Sequence, residues 1–275
     1  MKKAESGIVL VQVLVIVAFA SAMALTLMTV QDQATRFTER SADRIQAQAL
    51  LRGAEASVIS AFRQDGEAGS DVDHYGEAWY LVSQSPVKTS HGSFSVTVRD
   101  EQSLFNINNL ADGNLSARAM FARVASIYDE TEILEDDIVA ALALHGPVND
   151  LSDLATMGFA EAEIAALGKF AGALPGSTPV NLNTANDALI RAVFDNPLAA
   201  GKLLALRSRE TYVTRESLGR SGLVAPAGTA LTSQFIRVEI KVSWGNAQVS
   251  SRSLLERRTG TAGTRVRVIR RQTHA

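Results

Sequence analysis

The chain has 275 residues, a net charge of −2 and no cysteine. Disulfides, thiolate metal sites and thiol nucleophiles are therefore excluded. The near-neutral balance gives no general affinity for nucleic acid.

The first element decides the topology. Ile8 to Val30 runs without one charged side chain. At about 1.5 Å per helical residue it is long enough to cross a hydrocarbon core roughly 30 Å thick. Lys2 and Lys3 precede it, which puts the N-terminus on the cytoplasmic side and the rest outside. Two processing events fit. Small residues at Ala20 and Ala22, or Ala22 and Ala24, would suit signal-peptide cleavage and release a soluble periplasmic protein. Cleavage after Gly7 would instead leave the whole apolar run on the mature chain.

The residues that follow favour retention. From Ile8 to Arg63 there is no proline, and Gly53 is the only glycine. Leu51, Ala54, Val58 and Phe62 repeat at the spacing of one helical face. One helix of about 55 residues, roughly 80 Å long, is predicted. Its first half suits lipid and its second half suits a soluble head. A leader MKKAESG, an apolar helix and a globular head resemble the type IV pilin and pseudopilin class. The resemblance implies cleavage by prepilin peptidase after Gly7 and methylation of the new N-terminus, Ile8. It also implies Glu at the fifth mature position, where this chain has Gln12. That Glu pairs with the amine of the subunit above. A neutral residue there suits a subunit with nothing above it, since an unpaired carboxylate in lipid is costly.

In the head, strand-like segments form two separated groups. The first holds Trp79 to Val82, Ser93 to Arg99 and Leu104 to Leu110. The second holds Phe235 to Trp244, a Gly245-Asn246 turn, Ala247 to Leu255, and Val266 to Arg271 as a final edge strand. Alternation with period two predicts a sheet with one buried face, covered by the Leu51–Phe62 stripe. Between the groups lie predicted helices at Ala117–Tyr128, Glu135–Leu144, Leu151–Ala155, Glu161–Ala171, Ala185–Phe194, Leu198–Arg207 and Arg215–Ser221. Thr184 to Asp187 reads as a capping box. The expected fold is α+β: a long N-terminal transmembrane helix packed on an antiparallel pilin-like sheet, with a large all-helical subdomain inserted between strands. The expected divisions are a leader (1–7), a transmembrane helix (8–30) and the soluble half of that helix (31–65). A pilin-like core (66–111 and 230–275) and an inserted helical subdomain (112–229) complete them.

FNINNLA at 105–111, LSDLATMGF at 151–159, PVNLNTAN at 179–186 and the closing FIRVEIKV and SSRSLLER stand in an order that resembles the general secretion pathway protein K family. That family is the large minor pseudopilin of type II secretion, and it too lacks Glu at the position of Gln12. The resemblance implies a structural, non-enzymatic protein in the inner membrane, with a periplasmic head at the tip of a pseudopilus. It implies other minor pseudopilins as lateral partners, the major pseudopilin below, and prepilin peptidase. Secreted proteins and the outer-membrane secretin are further contacts it allows, and it allows calcium without requiring a cofactor.

Other features read as structural. Asn106, Asn108 and Asn109 are expected to close a strand, and Asn181 and Asn183 to fix a helix entry. Asp129, Glu130, Glu132, Glu135, Asp136 and Asp137 are weak calcium candidates without EF-hand spacing, and acids also suit a helix start. VNLNTA followed by paired helices resembles helix-hairpin-helix DNA-binding modules, the alternative reading for a soluble periplasmic protein. Phe194-Asp-Asn-Pro197 replaces the glycine-rich hairpin, however, so the phosphate-binding N–H groups are missing. The other pair offers only Gly158, between Met157 and Phe159. Arg265, Arg267, Arg270 and Arg271 suit a charged edge strand. His74, His91, His145 and His274 show no ligand spacing. No catalytic constellation is apparent.

Overall fold

The computed structural model describes residues 5–111, 113–128, 135–261 and 263–274. Glu5–Glu67 form one unbroken helix, α1. Residues 10–42 of it are exposed throughout, whereas Ala47, Leu51, Val58 and Phe62 are buried. The predicted stripe is therefore the packing face, beginning one turn earlier than expected.

That face lies on a five-stranded antiparallel sheet. Its strands are β1 (Gln84–Thr89), β2 (Gly92–Asp100), β7 (Phe235–Trp244), β8 (Ala247–Gly260) and β9 (Gly263–His274), in that spatial order. Val96 and Val98 of β2, and Ile236, Val238, Ile240 and Val242 of β7, point into the shared core. Trp79 lies under α1 with its ring 5.9 Å from Phe62. The Gly245-Asn246 turn is present: Gly245 has a φ of 54°, and Asn246 N donates to Asp43 Oδ2 of α1 at 2.9 Å.

Three expectations change. Trp79 to Val82 is not a strand: Ala78–Leu81 form a short helix, α2. A four-residue apolar run has no period of its own, and here the indole is buried and donates to Glu77 at 2.9 Å. In Leu104 to Leu110 only Phe105–Asn106 are extended, as β3, because Asn106 caps a 3-10 turn over Ile107–Leu110. Edge strand β1 was not predicted, since Gln84–Thr89 contains Pro86 and alternates poorly.

β2 and β7 are neighbours, paired from Gly92 with Trp244 to Asp100 with Ile236. The chain thus leaves the sheet after Asp100 and returns beside it at Phe235. Between lie α3 (Leu115–Ile127), α4 (Glu135–His145), a 3-10 segment (Leu151–Met157), α5 (Glu161–Leu167), α6 (Asp187–Val193), α7 (Pro197–Glu210) and α8 (Arg215–Arg220). Two-residue strands punctuate them: β4 (Ala171–Gly172) beside β3, and β5 (Val180–Asn181) beside β6 (Thr229–Ala230). The helices have their own core, with Phe121, Leu154, Phe170, Leu189 and Leu203 among its members.

Candidate functional site

Two regions carry the features that function could use: the bare half of α1 and the joint between the two cores. The apolar run sits on α1, and from Leu10 to Val30 none of its residues is buried. Gly7 and Ile8 fall within its first turns, outside the residues whose side chains are described. Gln12 is exposed. Among the described residues nothing else covers this half of the helix, and it is long and apolar enough to cross a membrane.

The joint is built from buried charge. Asp100, at the end of β2, is fully buried and accepts from Ser233 Oγ and Thr184 Oγ1 at 2.5 Å each, and from Asn181 Nδ2 at 3.0 Å. Its other oxygen caps the next turn through Gln102 N at 2.8 Å. Beside it, the Arg257 guanidinium of β8 reaches Asp73 at 2.5 Å and Asp65 of α1 at 2.7 Å. Arg257 also donates to Ser233 O and lies 4.2 Å from the centre of the Phe62 ring. Sheet, long helix and helical region therefore meet in one polar knot. Thr184 is thus not a helix cap, because its hydroxyl serves Asp100. Asn186 caps α6 instead, through Leu189 N at 2.8 Å.

Burial pushes the Asp100 carboxyl up to about 6, outweighing the donors that oppose the shift. Burial, then Glu77 nearby, pushes Asp65 up to about 6 as well. Such carboxyls bind protons more readily folded than unfolded. Their contribution to stability is full below the unfolded value of about 3.9 and is lost as pH rises through about 6. Asp150 and Glu256 are held low and act in the opposite sense at lower pH. The urea midpoint should accordingly be higher at pH 5 than at pH 7.5. Asp100→Asn should shrink that difference by an amount on the order of 1 kcal/mol. An unchanged difference would show that Asp100 titrates normally.

The asparagines serve as short stretches of backbone. Asn108 donates from Nδ2 to Val148 O at 2.8 Å and accepts from Val148 N at 3.0 Å. Asn109 does the same to Thr178, Asn106 to Leu174 and Asn183 to Val213. An amide carries donor and acceptor on one planar group, so each asparagine pairs a loop residue as a strand neighbour would. Asn181 instead ties Asp73 O, Asp100 and Ser233 together. The expected structural role holds, but across distant segments and not only at local turns.

The calcium candidates are only partly visible. Asp129, Glu130 and Glu132 lie outside the described residues. Asp136 is paired with Arg118, and Glu135, Asp136 and Asp137 do not converge as three ligands. Among the described residues, the acids that do converge are Asp65, Asp73 and Glu77. Arg257 and the donors Ser70 Oγ, His74 N and Trp79 Nε1 occupy those oxygens. At the hairpin between α6 and α7, Asp195 pairs with Arg123 at 2.6 Å and Asn196 caps α7. That loop is spent on internal bonds. β9 is an edge strand as predicted, and its arginines also hold the fold: Arg267 reaches Glu256, Arg270 reaches Asp150 and Arg271 reaches Glu55.

No family model matches the chain. Among curated proteins it is similar to type II secretion system protein K of Pseudomonas aeruginosa, with 25% identity over 94% of this chain and 90% of the relative. In fold it is similar to a chain in the crystal structure of the GspK-GspI-GspJ complex from the enterotoxigenic Escherichia coli type 2 secretion system. The TM-score is 0.60 at 17% identity, covering 88% of this chain and 99% of the other. The resemblance carried by FNINNLA, PVNLNTAN and the closing strands is thereby borne out: over nearly its whole length this chain is similar to type II secretion system protein K.

Proposed function

We propose that this chain is a structural minor pseudopilin that occupies the tip of a type II secretion pseudopilus. The observation that carries the reading is α1, whose apolar half is bare while its other half is clamped on the head. In this reading prepilin peptidase cuts after Gly7, Ile8 becomes the methylated N-terminus, and the Ile8–Val30 segment spans the inner membrane with the head in the periplasm. Two smaller minor pseudopilins pack laterally, and the relative of similar fold was crystallised with two partners. The helical region 112–229 acts as an inserted subdomain whose bulk obstructs stacking above. Gln12 leaves no carboxylate seeking an amine from a higher subunit, while the chain's own amine meets the Glu of the next subunit below.

Intact mass of the membrane-extracted protein, with and without the peptidase, tests this. A chain beginning at Ile8 only when the peptidase is present is expected. A soluble chain beginning near Met23 or Leu25, indifferent to that enzyme, would overturn it. Gln12→Glu should leave cleavage intact and reduce assembly. An unpaired carboxylate costs roughly 2.5–3.5 kcal/mol at the centre of a membrane helix and less at this position nearer its end. Counting filaments or secreted protein would check the effect, and normal assembly would make the position a tolerant polar site.

A further inference from the structure

We propose that the cleft between α1 and the β7–β8 turn docks the phosphate headgroups of anionic lipids in the membrane that α1 enters. The proposal rests on the spanning reading above and adds a second membrane contact made by the head. The cleft has a volume of about 570 Å³ and is lined by Arg36, Arg40 and Arg44 of α1, with Asn246 to Val249 opposite. The three arginines are four residues apart and so share one helix face.

Among the described residues, none of the three makes an ion pair or side-chain hydrogen bond. In the same protein, Arg237, Arg257, Arg267 and Arg271 all have carboxylate partners. The nearby acids do not neutralise the cleft. Glu39 is its one lining carboxylate, and Asp43 is occupied by the N–H of Asn246. Asp32 lies one turn before Arg36, outside the lining.

Position decides the occupant. Arg36 and Arg40 follow Val30, the end of the uncharged apolar run, by about 9 and 15 Å along the helix. Helical side chains lean toward the N-terminus, which here is toward the bilayer. A long guanidinium stem extends that reach, and its planar fork suits phosphate oxygens. Free cations aimed at the lipid surface therefore meet phosphates first. The β7–β8 turn, fixed to Asp43, forms the other wall and brings the sheet end over them.

The absence of native cysteine gives a clean reporter. Full-length chain carrying Gln248→Cys is labelled with a fluorophore and reconstituted in vesicles with a trace of headgroup quencher. One set is phosphatidylcholine alone; the other contains about one-third phosphatidylglycerol. Quenching is expected to be at least about threefold stronger in the anionic vesicles and to fall away in about 0.5 M NaCl. The combined change Arg36→Gln, Arg40→Gln and Arg44→Gln should abolish the difference, while the corresponding Lys chain keeps most of it. Equal quenching in both lipids would overturn the proposal, and this comparison on the native arginines needs no folding control. A Gln chain that quenches normally but fails to pair with another pseudopilin would also overturn it, making the stripe a protein contact. A chain that does not float with either vesicle would instead sink the spanning reading beneath it.

Discussion

Arg257→Met should destabilise the head by roughly 3–5 kcal/mol, because it strands buried carboxylates without their cation. Asp73 is 1% exposed and receives two contacts from this guanidinium, while Asp65 receives a third. Methionine keeps much of the volume over Phe62, so the loss reads the charge more than the packing. Urea unfolding of the detergent-solubilised full chain measures it. Burial already holds Asp73 above the usual carboxylate range, and without Arg257 it should be driven further toward the neutral form. The loss should therefore be smaller at pH 5 than at pH 7.5. A loss below about 1 kcal/mol at neutral pH would mean that water reaches the knot and screens it.

Asn108→Asp should cost a similar amount, roughly 3 kcal/mol or more, for a different reason. The carboxylate keeps the bond from Val148 N but loses the donors to Val148 O and Leu174 O. It leaves two buried carbonyls facing an acceptor, each unmade bond costing about 1–3 kcal/mol, and adds a buried charge. Asn108 is 4% exposed, so solvent offers little relief. Proteolysis within the helical region should accelerate while the sheet persists, since Val148 is held there through this one amide, whereas Leu174 keeps its two bonds to Asn106. Equal loss of both regions would show that they unfold as one unit.

Much of the fold was legible because it follows simple periods. The stripe at Leu51, Val58 and Phe62 and the alternation through Phe235–Trp244 are both strong signals, and both elements formed as expected. Segments of two to four residues were not legible. Trp79, Asn106 and Ala171 take their conformations from distant partners and not from local pattern. The knot itself left a trace that was missed. Asp100 has the parity of Phe94, Val96 and Val98, and Arg257 that of Val249 and Leu255. Glu55 likewise falls within the α1 stripe. A charge on the inward register of an apolar repeat signals a buried ion pair, as for Arg257 and Glu55, or a carboxyl saturated by hydrogen bonds, as for Asp100, because unpartnered it would not be tolerated there. The identity of its partner depends on which strands lie together, which the period does not encode.

The way α1 is fastened has a mechanical consequence. Asp43 holds the β7–β8 turn, Glu55 holds Ser253 and Arg271, and Asp65 holds Arg257. These links lie along one flank of the helix, spread over 23 residues of its length, from 43 to 65. A tug on the bare half, directed along the axis, loads them in shear, so they must give way together. A force peeling the helix sideways would break them one after another. The rod can therefore be drawn lengthwise with its head attached, as a cable is drawn by a clamp that grips along its length and not at a single point.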